Sequence, residues 1–273
     1  GQCAFCNGGE PMACRSQKIW GYETPNGSFA QYTVAQAQQL LPKPAHLTWE
    51  EAGSYALTAF TAWRMLMHRA DLRPGEDVLV WGGGGGLGVF AIQICKMVGA
   101  RAIAVVSSDD KAKLAMELGA IGVLDRRQFP NLGYKPGETP EQSKARLADT
   151  KAFGKKIWEI VGEKKGPDVV FEHVGPMTWP GSMLSMARGG RLVTCGSTTG
   201  IKSEINLNLL YQQQLRLLGS FGCTRRNMSE AMAKMASRQA HPVIDTRIGL
   251  DQLDEGLRRL ESRHVFGKIV VDL

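Results

Sequence analysis

No stretch of this 273-residue chain approaches the ~18 consecutive apolar residues needed to cross a bilayer, so no membrane-spanning helix is expected. The first residues show neither a basic stretch nor an apolar core, which predicts no secretory leader. Cysteine is sparse: six in the whole chain are too few for a disulfide scaffold. Cys95, Cys195 and Cys223 stand alone in apolar or glycine-rich surroundings, as small buried hydrophobes do, and a reducing cytoplasm is expected. There is no internal repeat and no low-complexity tract. The net charge is +7, yet the lysines and arginines are scattered rather than striped and no nucleic-acid motif appears. Nucleic acid is therefore not expected as a partner, whereas cations spread around a cleft suit a polyanionic small molecule. What remains is an ordinary globular composition, 43% hydrophobic and 22% charged, long enough for one or two domains.

The pattern along the chain alternates. DVLVWG is a short apolar run, followed by glycines and then by VFAIQICKMVGA at helical period. AIAVVSS predicts a second strand, DDKAKLAMELGA a second helix, and IGVLDR a third strand; GPDVVFEHVG and GGRLVTCGS predict a fourth and a fifth. Strands separated by helical segments predict an α/β doubly wound parallel sheet covered on both faces. Residues 126–156, polar and punctuated by Pro and Gly, read as a surface insertion with a helix inside. Upstream, Pro25, Asn26 and Gly27 form a turn signal and Phe29, Tyr32 and Val34 predict a strand. Thr48 and Glu51 have capping-box spacing ahead of a helix expected over 54–67. The tail predicts a helix, a turn and a last strand.

WGGGGGLG lies between a strand and a helix, where glycines acquire a purpose. Gly83, Gly85 and Gly88 fit G-x-G-x-x-G, so residues 83–88 (Gly83, Gly84, Gly85, Gly86, Leu87, Gly88) are expected to cradle a dinucleotide pyrophosphate at a helix N-terminus. An NAD site places an acid at the tip of the second strand; here Val106, Ser107 and Ser108 stand there, with Lys111 one turn on. Hydroxyls and an ammonium suit a 2′-phosphate, so NADPH is the expected cofactor. At the start, GQCAFCNGGEPMAC sets Cys3, Cys6 and Cys14 at metal-ligand spacing, one ligand short of a tetrahedral set.

In its order of pieces the chain resembles the medium-chain dehydrogenase/reductase superfamily. GSFAQYTV is similar to its G-x-x-A-E-Y strand, LTAFTAW to the segment whose threonines lie near the nicotinamide, and VWGGGGGLG to its cofactor loop. The resemblance implies a Rossmann domain over residues 57–222. Residues 1–56 would be the remainder of a GroES-like β-rich catalytic domain, N-terminally truncated, to which 223–273 return. It also implies that Cys3, Cys6 and Cys14 belong to a four-cysteine zinc lobe whose first ligand would precede Gly1. KIWGYETPNGSFAQY, LLPKPAHLTWEEAGSY, VVFEHVG and LLGSFG are closer still to the crotonyl-CoA carboxylase/reductase branch of enoyl-thioester reductases. Similar modules occur within larger fused acyl-CoA synthases.

That branch implies an acyl-CoA thioester substrate, reduced at its β-carbon by NADPH and quenched at the α-carbon by a proton or CO2. Thr58, Thr61 and the turn Cys195, Gly196, Ser197 would line the nicotinamide, and Lys268 a cofactor or CoA phosphate. Tyr22 and Glu23 stand where carboxylating members have Phe-Glu. Phe221 replaces the histidine expected after Gly-Ser, which favours plain reduction, because a phenyl ring cannot hold a water or donate to a carboxylate. His173, at the end of the FEHVG strand, is a further catalytic candidate, with a structural histidine as the equal alternative. A quinone or aldehyde reductase and a non-catalytic NADPH-binding module are the competing readings. A homo-oligomer, or a place in a larger multidomain chain, is expected.

Overall fold

The computed structural model describes residues 1–133 and 137–273. The first part carries α1 (Ala4–Asn7) and α2 (Trp49–Trp63). Then follow β1 (Asp77–Trp81), α3 (Gly86–Val98), β2 (Arg101–Val106), α4 (Asp109–Glu117), β3 (Gly122–Asp125) and α5 (Pro140–Val161). Next come β4 (Val169–Glu172), α6 (Trp179–Ser185), β5 (Arg191–Thr194), α7 (Leu207–Gln212) and β6 (Arg216–Gly219). The chain ends with α8 (Arg225–Ala236), β7 (Ile244–Gly249), α9 (Leu253–Glu261) and β8 (Lys268–Asp272). These elements divide into two compact units, Ala62–Ser220 and a unit built from Gly1–Thr61 with Phe221–Leu273.

In the unit Ala62–Ser220 six strands form one sheet in the order β3-β2-β1-β4-β5-β6, every pairing parallel. β1 is buried at all five positions, as a strand covered on both faces must be. The strand order reverses between β1 and β4, and in an open parallel sheet ligands bind outside the C-terminal ends of the strands at such a reversal. α3 stops at Gly99, whose φ of +76° is the left-handed conformation that lets the chain leave a helix. α5 starts on a capping box, Thr139 with Gln142, and Pro140 opens its first turn.

Residues 126–156 correct the reading of a surface insertion. Their helix is the crossover from β3 to β4, and it buries Phe153, Ile157 and Val161 against the sheet. Phe153 stacks on Trp81 at 5.5 Å and meets Phe129 edge-on at 5.3 Å. The Trp81 indole N–H donates to Ser182 Oγ at 2.7 Å, which satisfies the polar atom of a buried ring. At the opposite edge of the sheet, Asp77 is fully buried and paired with Arg101 at 2.7 Å.

In the other unit β7 and β8 pair in parallel, and α8 has its own capping box, Thr224 with Asn227. The Thr48–Glu51 box forms as read: Glu51 accepts from Thr48 N–H, and Thr48 Oγ1 from Glu51 N–H. It starts α2 at Trp49, ahead of the expected boundary, and α2 runs on into a single π-helical turn, Arg64–Arg69. No strand forms over 28–35, contrary to the signal of Phe29, Tyr32 and Val34. A strand shares its backbone groups with a neighbour, and among the described residues this unit's only paired strands are β7 and β8. Phe29, Tyr32 and Val34 accordingly lie exposed.

Candidate dinucleotide site

The glycine loop starts where β1 ends. Gly82 takes φ +63°, and Gly83 N–H donates to Val105 O at 3.0 Å, pinning the turn to β2. A Cβ at Gly83 would sit 2.8 Å from that of Ala104, and one at Gly84 would strike the stem of Lys111. A Cβ at Gly88 would run into the Gly82 carbonyl, so this glycine is what lets α3 close onto the turn. Gly85 is the N-cap, and the first helical bond runs from Val89 N–H to Gly85 O. The N–H groups of Gly86, Leu87 and Gly88 precede it and emerge from the helix end with its positive dipole, as an anion requires.

At the tip of β2 Val106 is buried, while Ser107 and Ser108 are half-buried. Ser108 caps α4 by accepting from Lys111 N–H. Lys111 then lays its aliphatic stem over Gly84, which brings the start of α4 against the glycine loop. A small pocket at this tip is lined by Ser108, Asp109, Asp125, Gln128 and Lys156 over an apolar floor that includes Val106, Ala112 and Leu124.

Arg127 was not singled out from the sequence. It holds Asp125 through Nε at 2.8 Å and reaches Asp109 at 2.8 Å, which raises its own pKa and lowers that of Asp125. Of the two acids that open α4, Asp109 and Asp110, the first is thus paired with a guanidinium. A basic pair directly after the third strand was the available signal.

Across the strand reversal, the end of β4 carries Glu172 and His173. The Glu172 side chain is fully buried, and burial raises its pKa. Burial also lowers the pKa of His173. His173 Nε2 lies 3.0 Å from Trp81 O, an atom that only accepts, so the neutral ring carries its proton there. A Cβ at Gly82 would stand 2.9 Å from the same nitrogen. The pairing continues past the strand ends, Cys195 N–H donating to Glu172 O at 3.3 Å and Ser220 N–H to Thr194 O at 2.8 Å, so His173, Cys195 and Ser220 follow one another along the C-terminal edge. Burial pushes the Cys195 thiol up to about 11, so it is an inert lining group. Gly196 and Ser197 follow in an exposed turn.

This unit therefore assembles the loop 83–88 with Ser107, Ser108 and Lys111, and a second group of His173, Cys195, Gly196 and Ser197. The other candidates belong to the second unit. Thr58 is buried and donates to Tyr55 O, Thr61 is half-buried, and burial lowers the pKa of Lys268. Tyr22 and Phe221 are exposed, and Glu23 accepts from Ile19 N–H at 2.7 Å, closing its own turn. The sulfurs of Cys3, Cys6 and Cys14 all lie within 4.8 Å of one another, as three corners of a tetrahedral thiolate site do. Among the described residues no fourth His, Cys, Asp or Glu joins them.

A glycine-rich turn after the first strand of a 3-2-1-4-5-6 parallel sheet defines a Rossmann dinucleotide-binding domain. Residues 86–237 match the zinc-binding dehydrogenase family model. The chain belongs to that family, in the medium-chain dehydrogenase/reductase superfamily, and is crotonyl-CoA carboxylase/reductase-like within it. It is 46% identical to the crotonyl-CoA carboxylase/reductase of Cereibacter sphaeroides, over 88% of this chain and 56% of that protein. With the crotonyl-CoA reductase of Streptomyces collinus it shares 35% identity over 96% of this chain and 58% of that protein. The structure of crotonyl-CoA carboxylase/reductase AntE in complex with NADP superimposes with a TM-score of 0.92 at 36% identity, covering 98% of this chain and 67% of that one. The chain thus spans under three fifths of the length of these two curated relatives. No helix of the described residues is long and apolar enough to cross a membrane.

Proposed function

We propose that the chain takes part in NADPH-dependent reduction of a short-chain α,β-unsaturated acyl-CoA of acryloyl or crotonyl type. The observation that carries this is the tip of β2: two serines and Lys111 against the glycine loop, with Asp109 drawn onto Arg127, in a chain 46% identical to a crotonyl-CoA carboxylase/reductase. NADPH, when bound, supplies the hydride that goes to the substrate β-carbon. The residues 83–88 take the pyrophosphate, and Ser107, Ser108 and Lys111 take the 2′-phosphate. His173, Cys195, Gly196 and Ser197 line the nicotinamide side, where a neutral imidazole and a protonated thiol exclude water without competing for the proton. The family resemblance adds Thr58, Thr61 and Lys268 as further candidates for cofactor contacts.

The thioester enolate left by hydride transfer is protonated at its α-carbon. Tyr22 and Glu23 are the groups we assign to delivering that proton, and Phe221, which can neither donate nor hold a water, is the reason CO2 does not take its place. Carboxylation is the second reading, favoured by the retained Glu23. In this scheme 57–222 form the NADPH-binding domain, and 1–56 with 223–273 form the catalytic part. Cys3, Cys6 and Cys14 would give structural zinc three of its four ligands. A homo-oligomer is proposed because β6 is an edge strand, with Leu207 and Tyr211 exposed on the neighbouring α7. The test is NADPH oxidation with acryloyl-CoA and crotonyl-CoA, with and without bicarbonate, and products identified by mass. Saturated acyl-CoA in both conditions is expected. A carboxylated product would favour the second reading, and no oxidation with either thioester would sink both.

A further inference from the structure

We infer that Glu172 is a positioning residue for the nicotinamide half of the dinucleotide, acting through two successive turns. The inference rests on the NADPH reading above. Glu172 is completely buried at the last position of β4, and among the described residues no cation pairs with it. Its partners are instead the turn that follows. Oε1 accepts the N–H groups of His173 (2.8 Å), Val174 and Gly175 (3.3 Å), and Oε2 accepts the Thr178 hydroxyl (2.7 Å). A single carboxyl thus curls residues 173–178 around itself.

The outer side of that turn shapes the next one. Thr198 Oγ1 donates to His173 O at 2.8 Å, and Thr199 donates to Val174 O through both its hydroxyl and its N–H, each at 2.8 Å. Gly196 packs so closely that a Cβ there would be 2.9 Å from His173 O. The turn 195–199 therefore takes its shape from the carbonyls of 173 and 174, which take theirs from Glu172. Both turns lie at the ends of β4 and β5, across the strand reversal from the glycine loop and the β2 tip. A dinucleotide that leaves its adenosine on the β2 side must bring its other half here.

The full chain is titrated with NADPH and with 2′,5′-ADP, which has the phosphorylated adenosine half alone. Glu172→Gln should keep both affinities within about twofold, because the amide oxygen takes the same three N–H groups and its NH2 donates to Thr178 Oγ1. Glu172→Ala should raise the NADPH Kd about tenfold or more, while 2′,5′-ADP stays within about twofold. The double variant Thr198→Val/Thr199→Val, which leaves the Glu172 contacts intact, should show the same split and decides the matter if Glu172→Ala does not fold. Equal losses for both ligands, or unchanged NADPH binding in the double variant, would overturn the positioning role. Wild-type protein that binds neither ligand would instead remove the cofactor reading on which the inference rests.

Discussion

Arg127 reaches from beyond β3 to Asp109, the first residue of α4, and binds it at 2.8 Å while holding Asp125 with the same guanidinium. One of the two carboxylates at the start of α4 is thereby neutralised beside the β2 tip. Arg127→Gln frees both carboxylates beside the place assigned to the 2′-phosphate. NADPH affinity should fall about five- to tenfold and NADH affinity much less, with the difference shrinking at high salt. Paired titrations at two ionic strengths check this; an unchanged ratio would remove Arg127 from cofactor choice.

Gly88 and Gly53 make opposite predictions for the same substitution. Gly88→Ala drives a methyl into the Gly82 carbonyl, so it should cost about 1–3 kcal/mol and abolish NADPH binding. Gly53 lies exposed inside α2 with open space at its Cβ position, and Gly53→Ala should stabilise by ~0.5–1 kcal/mol. Urea unfolding of both variants measures the pair.

His173 sets an acid limb. Burial lowers its pKa, so as pH falls the unfolded chain takes up the proton first. The stability contributed by the neutral ring is complete above about pH 6.5 and is lost progressively below it. Glu172 has the opposite slope, since its raised pKa gives stability that is lost as pH rises through the folded value. Comparing His173→Gln with the parent isolates the imidazole, and the variant should lose less stability between about pH 7.5 and 5.5. Parallel curves would place the acid sensitivity elsewhere.

Phe221→His introduces the imidazole that the resemblance to carboxylating members implies after Gly-Ser. With bicarbonate and crotonyl-CoA, a carboxylated product should appear or increase, detected by mass. A product pattern identical to the parent would separate this position from the fate of the α-carbon.

The nucleotide-binding half was legible because its cues are local. A buried parallel strand reads as an unbroken apolar run, and the loop 83–88 is surrounded by the strand and helix that give glycines a use. The segment with Phe29, Tyr32 and Val34 misled because strand formation needs a partner, which no propensity encodes. α5 misled for the reverse reason: Lys and Glu on its outer face hid the inward positions Phe153 and Ile157. Arg127 and the Glu172 turn escaped because their partners are set by contacts made after folding. Arg127 meets Asp109 eighteen residues away, and the Glu172 turn is tied to Thr198 and Thr199 from the next strand's loop.

β1 lies beside β2 in the sheet through residues about two dozen apart, Val78 with Ala102, but beside β4 through Val78 and Val169. Closing the second pair loses more chain entropy, because the intervening segment is several times longer. β1, β2 and β3 are therefore expected to form first and the β1–β4 seam after them. The glycine loop and the β2 tip would then be in place before the turns at the ends of β4 and β5 that complete the site on that seam. Amide exchange after a refolding jump should protect Leu79 and Ile103 before Val170 and Leu192.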